Sequence, residues 1–333
     1  MRYKPLLWIG VAIGAIAIGL YVRYRVNANA DAAEFNEQLR LARSEGIPVT
    51  AAEYAAQVLP AKPEENAGSL YRRLKFRSIV TPVKFGSKSP PSIDDVYIAL
   101  QNSPSQQNIE SAESILAAAQ SQLQLVDQAA KRPRCWFDRN WSDGVATLFP
   151  EYAEMKSASK YVALRGSVAA ARRQPDAALK DFKDIVQMAR QSDEEGSDIG
   201  CMVSDAIFSI GVRAVATWSM WEPGEARYRK ALDSAIAEWR KPNLRRESRG
   251  ELIGVLSVID LSATKEGRTK LGLKDDDLPI GPNPFEFLLS QPKARIAIVK
   301  AERDAWAALS LPEDQMEAAR DKAMQRRTFA LLA

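Results

Sequence analysis

The sequence predicts an all-α protein in which an N-terminal transmembrane helix precedes an irregular α-helical bundle. Three observations carry that expectation. Pro5 to Val22 is a run of eighteen residues without a charge. From about Gln107 onward, apolar residues recur at intervals of three and four, the signature of helices with one buried face. No convincing period-two alternation of the kind a strand ladder needs appears anywhere.

At about 1.5 Å rise per residue the first run covers roughly 27 Å, close to the thickness of a bilayer's hydrocarbon core. Leu6, Leu7, Trp8, Ile9, Val11, Ile13, Ile16, Ile18 and Leu20 leave it no water-facing stripe. Arg2 and Lys4 precede it and Arg23 and Arg25 follow, while Tyr3, Trp8, Tyr21 and Tyr24 sit near its ends, where amphipathic rings prefer the headgroup layer. The favoured reading is a signal anchor over residues 1–26 that stays on the chain. A signal peptide cleaved near Ala28-Asn29-Ala30 is the rival, although the run exceeds a usual signal core and two arginines separate it from that site. A short basic start before an apolar run is how export signals look. It puts the bulk of the chain outside the cytoplasm, and the inverted, cytoplasmic topology is the alternative. Gly10 and Gly14 form a Gly-x-x-x-Gly pair, a candidate face for homodimerisation through the span; plain lipid contact is the other reading.

Composition then removes chemistries. Apolar residues make up 46% of the chain and charged residues 26%, as in ordinary folded proteins. A net charge of +4 spread over 46 basic and 42 acidic residues calls for no nucleic acid partner. The sharpest basic cluster, Arg240, Lys241, Arg245, Arg246 and Arg249, is interleaved with Glu247, lacks an aromatic platform, and reads as a solvated helix face. There is no histidine, which excludes Ser-His-Asp and Cys-His catalysis, histidine-ligated zinc and c-type haem attachment together. No cofactor and no metal site is expected. Cys135 and Cys201 are the only cysteines; they form one disulfide or stand as two separate buried thiols.

The elements follow in order. Leu20 to Glu45 contains neither proline nor glycine, so the membrane helix continues through Phe35, Leu39 and Leu41 as a stalk or linker over residues 27–46. Gly46-Ile47-Pro48-Val49 ends it, and a soluble α-helical domain occupies 47–333. Thr50-Ala51-Ala52-Glu53 reads as a capping box for a short helix to Leu59. A second helix is expected from about Glu64 to Ile79, and Val80 to Pro91, with three prolines and a glycine, is irregular. Ile109, Ala112, Leu116, Ala119, Leu123, Val126 and Ala130 draw one stripe along a single helix from Gln107 to Lys131. Lys131 to Pro150 is a loop. Tyr152–Arg173 and Pro175–Gln191 form a helical hairpin whose second member presents Ala178, Leu179, Phe182, Ile185, Val186 and Ala189 to the core. Ile199–Trp221 is apolar, but Asp205 and Arg213 interrupt it, so it reads as a buried core helix. Pro223–Trp239, Asn243–Leu261, Pro292–Leu309 and Leu311 to about Leu332 complete the helices, with Ser310 and Glu313 capping the last.

The stretch Ala171-Arg172-Arg173-Gln174-Pro175-Asp176-Ala177-Ala178-Leu179-Lys180-Asp181-Phe182 resembles the turn and second helix of a tetratricopeptide repeat, with Ala178 as the small residue and Phe182 as the aromatic four positions on. Arg173 or Gln174 stands where that family places glycine, and no second copy recurs near a 34-residue spacing. Over about a third of its length, through Leu39–Thr50 and Leu148–Trp218, the chain is similar to a group of bacterial single-span proteins with an exported all-helical domain. The motifs of that group are structural, so the resemblance implies architecture and location, not activity.

Candidates for chemistry are few. Ser157-x-x-Lys160 and Ser262-x-x-Lys265 match a serine–lysine spacing of penicillin-binding enzymes without its partner motifs. Glu64-Glu65, Asp94-Asp95 and Asp193-Glu194-Glu195 are read as acidic helix starts, and Asp275-Asp276-Asp277 as a solvated loop. No catalytic residue is assigned. Cys135-Trp136-Phe137-Asp138-Arg139-Asn140-Trp141 is the unusual segment: Trp136, Phe137, Arg139 and Trp141 form either a partner patch or a plug for the helical core. The expected function is a membrane-anchored, non-enzymatic interaction or scaffold protein of the cell envelope with a protein partner. The alternative is an envelope hydrolase that uses paired carboxylates.

Overall fold

The computed structural model describes residues 29–58, 62–79, 92–141, 147–239, 251–262, 265–270 and 292–332. The expected span from Pro5 to Val22 with its Gly10–Gly14 pair, the irregular Val80–Pro91 stretch, the basic cluster from Arg240 to Arg249 and the Asp275–Asp277 triplet lie outside these residues. What is described is all-α. Among the described residues there is no β-strand, only an isolated parallel bridge between Asn66 and Arg134. The chain divides into two compact units, with 54–141 and 147–250 in one and the described residues before 54 and after 250 in the other.

Helix α1 runs over residues 29–44. It ends in a Schellman motif: the Ile47 N–H donates to Ala42 O at 3.0 Å, the Gly46 N–H donates to Arg43 O at 3.0 Å, and Gly46 takes φ +83°, where a side chain is disfavoured. Thr50 caps α2 (Ala51–Val58), accepting the Glu53 N–H at 3.2 Å. The reciprocal half of the capping box is shifted by one residue, because Glu53 accepts the Val49 N–H at 2.8 Å. Arg43 pairs with the same carboxylate at 2.9 Å. Against a partial burial that raises its pKa, the Val49 amide and Arg43 together hold Glu53 below the usual carboxylate range.

The helix expected over Glu64–Ile79 is not formed. The chain makes a 3-10 turn at Pro63–Glu65, a single helical turn α3 (Gly68–Tyr71) and a 3-10 turn at Phe76–Ser78. Tertiary pairing explains the difference: the Ala67 N–H donates to Arg134 O at 2.7 Å and the Arg134 N–H donates to Glu65 O at 3.0 Å, so these backbones answer to a distant segment. Helix α4 (Ile93–Asn102) opens on a complete Ser92–Asp95 capping box. The single helix expected over Gln107–Lys131 is two, α5 (Gln106–Ala118) and α6 (Gln120–Ala130), broken at the fully buried Ala119, whose N–H is shared between Ile115 O and Leu116 O.

Helices α7 (Pro150–Ala171) and α8 (Pro175–Ser192) form the expected hairpin. α7 is the axis of this unit, buried on nearly every side by α4, α5, α8 and α9 (Asp198–Trp221). Trp218 of α9 is fully buried and donates from Nε1 to Ser167 Oγ of α7 at 2.9 Å. Phe208 stacks at 4.0 Å on Trp239, the last residue of α10 (Ala226–Trp239). α9 is the one described helix long and apolar enough to cross a membrane by length and composition. It buries Ile207, Ala214, Val215 and Trp218 in this core.

The second unit takes up α1 again. Helices α11 (Glu251–Ser262), α12 (Lys265–Lys270), α13 (Pro292–Ala308) and α14 (Glu313–Leu332) follow. Ala42, Ile47, Val49, Leu252, Leu256, Ile298 and Val299 are its core, flanked by Phe35, Leu39, Val255 and Trp306. The stalk expected over residues 27–46 is therefore, from residue 29 on, a packed helix with α13 as its neighbour. Lys300 pairs with Glu34 at 2.6 Å, Arg303 reaches Glu45 at 2.9 Å and Gln38 at 2.6 Å, and Trp306 Nε1 donates to Glu45 O at 3.2 Å. The last helix begins slightly later than the expected Leu311. The Gln315 and Met316 amides donate to Pro312 O, and the Ser310 backbone N–H donates to Ala307 O at 3.1 Å at the end of α13.

Candidate functional site

The segment singled out in the sequence, Cys135–Trp141, is held together with the preceding Arg134 on three sides. Asn66 pairs with Trp136 in both directions: its Oδ1 accepts the Trp136 N–H at 2.7 Å and its Nδ2 donates to Trp136 O at 2.9 Å. Gly68 lies so close that a Cβ there would stand 2.0 Å from Trp136 O, a contact no side chain tolerates. Asp193-Glu194-Glu195, expected to begin a helix, is instead the turn between α8 and α9, and the Glu194 and Glu195 carboxylates face the loop. Glu194 accepts from Arg134 Nε and from the Cys135 N–H. Glu195 is 1% exposed and accepts the Phe137 N–H at 2.8 Å, Arg139 Nε at 2.8 Å and the Tyr152 hydroxyl at 3.0 Å. Tyr54 donates its hydroxyl to the Glu195 carbonyl.

Arg139 is the centre of this arrangement, its side chain 3% exposed. Nη1 donates to Leu148 O at 2.7 Å and to Glu151 Oε2 at 3.0 Å, and the guanidinium lies 4.6 Å from the Phe137 ring centroid, 4.5 Å from Phe149 and 5.1 Å from Tyr152. Arg72 closes the far side, donating from Nε to Glu151 at 3.2 Å and from Nη2 to Asp138 O at 2.8 Å. Burial pushes the Glu195 carboxyl up, with Arg139 opposing it; burial lowers and Glu195 more than restores the Arg139 guanidinium, which ends above its ordinary value. Both groups are charged partners in a dry site, so removing either leaves the other uncompensated.

Of the four residues expected as a patch, Phe137 and Arg139 are buried while Trp136 and Trp141 are half-buried. Trp141 stands edge-on to Tyr54 at 4.7 Å and 6.1 Å from Phe149. Among the described residues three buried donor atoms of this segment meet no acceptor: Trp136 Nε1, Arg139 Nη2 and Trp141 Nε1. Cys135 lies buried in the same loop and Cys201 half-buried on α9, with no disulfide between them. Burial, then the Glu195 and Glu194 charges, push the Cys135 thiol well above its usual pKa, so it stays protonated and unreactive at neutral pH. Spacing alone did not reveal Glu151, Asn66, Arg72, Tyr54, Tyr152 or Phe149. Glu151 follows a proline in a first turn and looks like a dipole partner, and nothing local ties it to Arg139.

The other candidates are tied into the scaffold. Lys160 pairs with Asp94 at 2.8 Å, and Ser157 Oγ donates to Ala153 O at 3.0 Å, so the Ser157-x-x-Lys160 spacing brings no serine–lysine pair together. A second ionic cluster joins α6, α7 and α8. Arg165 donates to both carboxylate oxygens of Asp181 at 3.1 Å and to Asp127 at 2.8 and 3.2 Å, while Lys180 spans Asp127 at 3.1 Å and Asp184 at 2.6 Å. Burial keeps Asp181 above the usual carboxylate range despite Arg165. Asp127 is less buried, and Arg165 and Lys180 outweigh that burial and hold it below. An open groove of about 410 Å³ beside Arg165 and Asp127 is lined by Leu116, Leu123 and Gln124.

No family model, curated protein or solved structure matches this chain.

Proposed function

We propose that the chain is a membrane-anchored, non-enzymatic helical interaction module of the cell envelope, tethered by Pro5–Val22 with its bulk outside the cytoplasm, and that the 134–141 loop meets a protein partner. The observation that carries this reading is the set of unpaired donors on one short loop. Among the described residues Trp136 Nε1, Arg139 Nη2 and Trp141 Nε1 lack acceptors, while the nearby Glu151 and Glu195 carboxylates are engaged elsewhere. Folded interiors leave few such groups unpaired. The two indole rings are half-buried but their nitrogens are covered, so a partner's carbonyl or carboxylate oxygen takes these donors by displacing what lies over them.

The hairpin supports the same reading. α7 and α8 are read as tetratricopeptide-like: Ala178 and Phe182 are buried, and Arg173 takes φ +58° at the turn, the conformation suited to the glycine that family uses. The rival, an envelope hydrolase, needs a carboxylate free to move a proton. Glu151 and Glu195 share Arg139 and have their remaining capacity taken by Arg72, Tyr152 and a backbone amide.

Two experiments test this. Carbonate washing of membranes leaves the unprocessed chain in the pellet, and a periplasm-active reporter fused at Ala333 is active; release into the supernatant, or activity of a cytoplasmic reporter only, refutes the location. Affinity capture of the full chain carries a partner that Trp136→Phe with Trp141→Phe loses, because the rings are kept and both N–H donors removed. Unchanged capture by that variant refutes the loop as the contact.

A further inference from the structure

We propose that α9 is a self-association surface, on which two copies of this chain pair antiparallel about a two-fold axis at Ser209. The inner face of α9 is spent on α7, α8 and α10. Its outer face carries Met202 at 63% exposure, Met220 at 70% and Ile199 at 42%, with Asp205, Ser209, Arg213 and Ala216 exposed between them. At 100° per residue these positions fall within about 60° of one line along the helix, so they form one apolar stripe crossed by two opposite charges. Scattered exposed apolar side chains need no explanation, but Ile199, Met202, Ala216 and Met220 in line on the one described helix long and apolar enough to cross a membrane mark a contact surface.

Charge order identifies the occupant. Asp205 and Arg213 are placed symmetrically about Ser209, each four residues away, and about 12 Å apart along the axis. In an antiparallel pair centred on Ser209, Asp205 of one copy faces Arg213 of the other, and the exchange repeats by symmetry, as an isologous interface requires. The same register sets the long Met202 opposite the small Ala216, again twice, and Ser209 opposite itself at the crossing. Among the described residues no carboxylate pairs with Arg213, while Asp205 accepts only the Trp239 indole N–H at 3.2 Å. Both charges are therefore available across the axis. A parallel pair would instead set Asp205 against Asp205.

α9 has 24 residues and is roughly 36 Å long, so a strip about 10 Å wide covers roughly 360 Å² per copy, below the usual area of a permanent dimer. The pairing is thus transient and concentration-dependent. Chains held on one membrane raise their own local concentration, yet the proposal does not need the anchor.

Charge reversal tests the register. Two differently tagged full-length chains are co-expressed, solubilised in detergent and captured through one tag. Asp205→Arg places arginine at both sites and Arg213→Asp places aspartate at both, so each variant captures itself at least about tenfold less than wild type does. Asp205→Arg mixed with Arg213→Asp recovers wild-type capture, because each copy then supplies what the other lacks, and this recovery also shows that both variants fold. The proposal is overturned if wild type does not capture itself, if either variant captures itself as well as wild type, if the mixture fails to recover, or if the stripe binds a different protein while the chain stays monomeric.

Discussion

At Arg173 the backbone takes φ +58°, the left-handed region that an L side chain enters at a cost. The turn needs it: the Gln174 N–H donates to Ala169 O at 2.9 Å and the Arg173 N–H to Ala170 O at 2.8 Å, closing α7 in a Schellman motif. The Arg173 side chain is 88% exposed and reaches Glu222 only at 3.9 Å, a contact of little value. Arg173→Gly should therefore stabilise the protein by about 0.5–1 kcal/mol, read as a higher urea midpoint at unchanged slope. Glu195 is the opposite case. Glu195→Ala strands Arg139 beside Glu151 alone and leaves the Phe137 amide without its acceptor, so a loss of about 3–5 kcal/mol is expected. Glu64→Ala, at an exposed position, should stay within about 0.5 kcal/mol in the same measurement. Because burial raises the Glu195 pKa above its unfolded value, its ionised form weighs against the fold, and its contribution to stability erodes as pH rises through that raised value.

Elements here are joined by charge as well as by packing. Arg165 on α7 holds Asp127 on α6 and Asp181 on α8, and Lys180 bridges the same two helices. Asp127 sits below its unfolded pKa, so its contribution is fully present above the usual aspartate range and is lost as pH falls through the lowered value. Asp127→Asn should therefore destabilise at pH 7, and the gap from wild type should close in urea titrations repeated toward pH 3. A gap that stays constant with pH would mean that the carboxylate acts by shape alone. Sequence periodicity located α7, α8, α9 and α13 within a few residues, because each has a long face satisfied by burial. It failed at α3, where the backbone from Glu65 to Gly68 serves the 134–136 segment, and at Ala119, where one helix became two. At α3 a partner distant along the chain set the local conformation, and local spacing contains no record of that partner; at Ala119 the apolar stripe runs on unbroken through the residue where the helix stops.

On the scale of the whole molecule, two compact units each enclose their own apolar core. The chain from α1 onward is helical by its own packing, so a chain shortened by residues 1–26 should keep its far-ultraviolet helical signal and its melting cooperativity while leaving the membrane fraction. Retention in the membrane would move the attachment to another segment, with α9 the first candidate by length and composition.

Much of the candidate site was visible as an oddity and not as an arrangement. Cys135 to Trp141 stood out by composition, but nothing in its spacing indicated that Glu194 and Glu195 would hold its amides or that Arg139 would lie among three rings. By itself the amino-acid order determined the helical class, the hairpin, the exclusion of histidine chemistry and the uncharged run from Pro5 to Val22, since each depends on composition or on periodicity within one segment. Only the tertiary structure decided that the acidic turn clamps a loop, that α1 packs against α13, and that α9 turns an apolar stripe outward. Those outcomes depend on which surfaces meet, and charges far apart in the chain find each other only once burial has removed the water that would otherwise satisfy them.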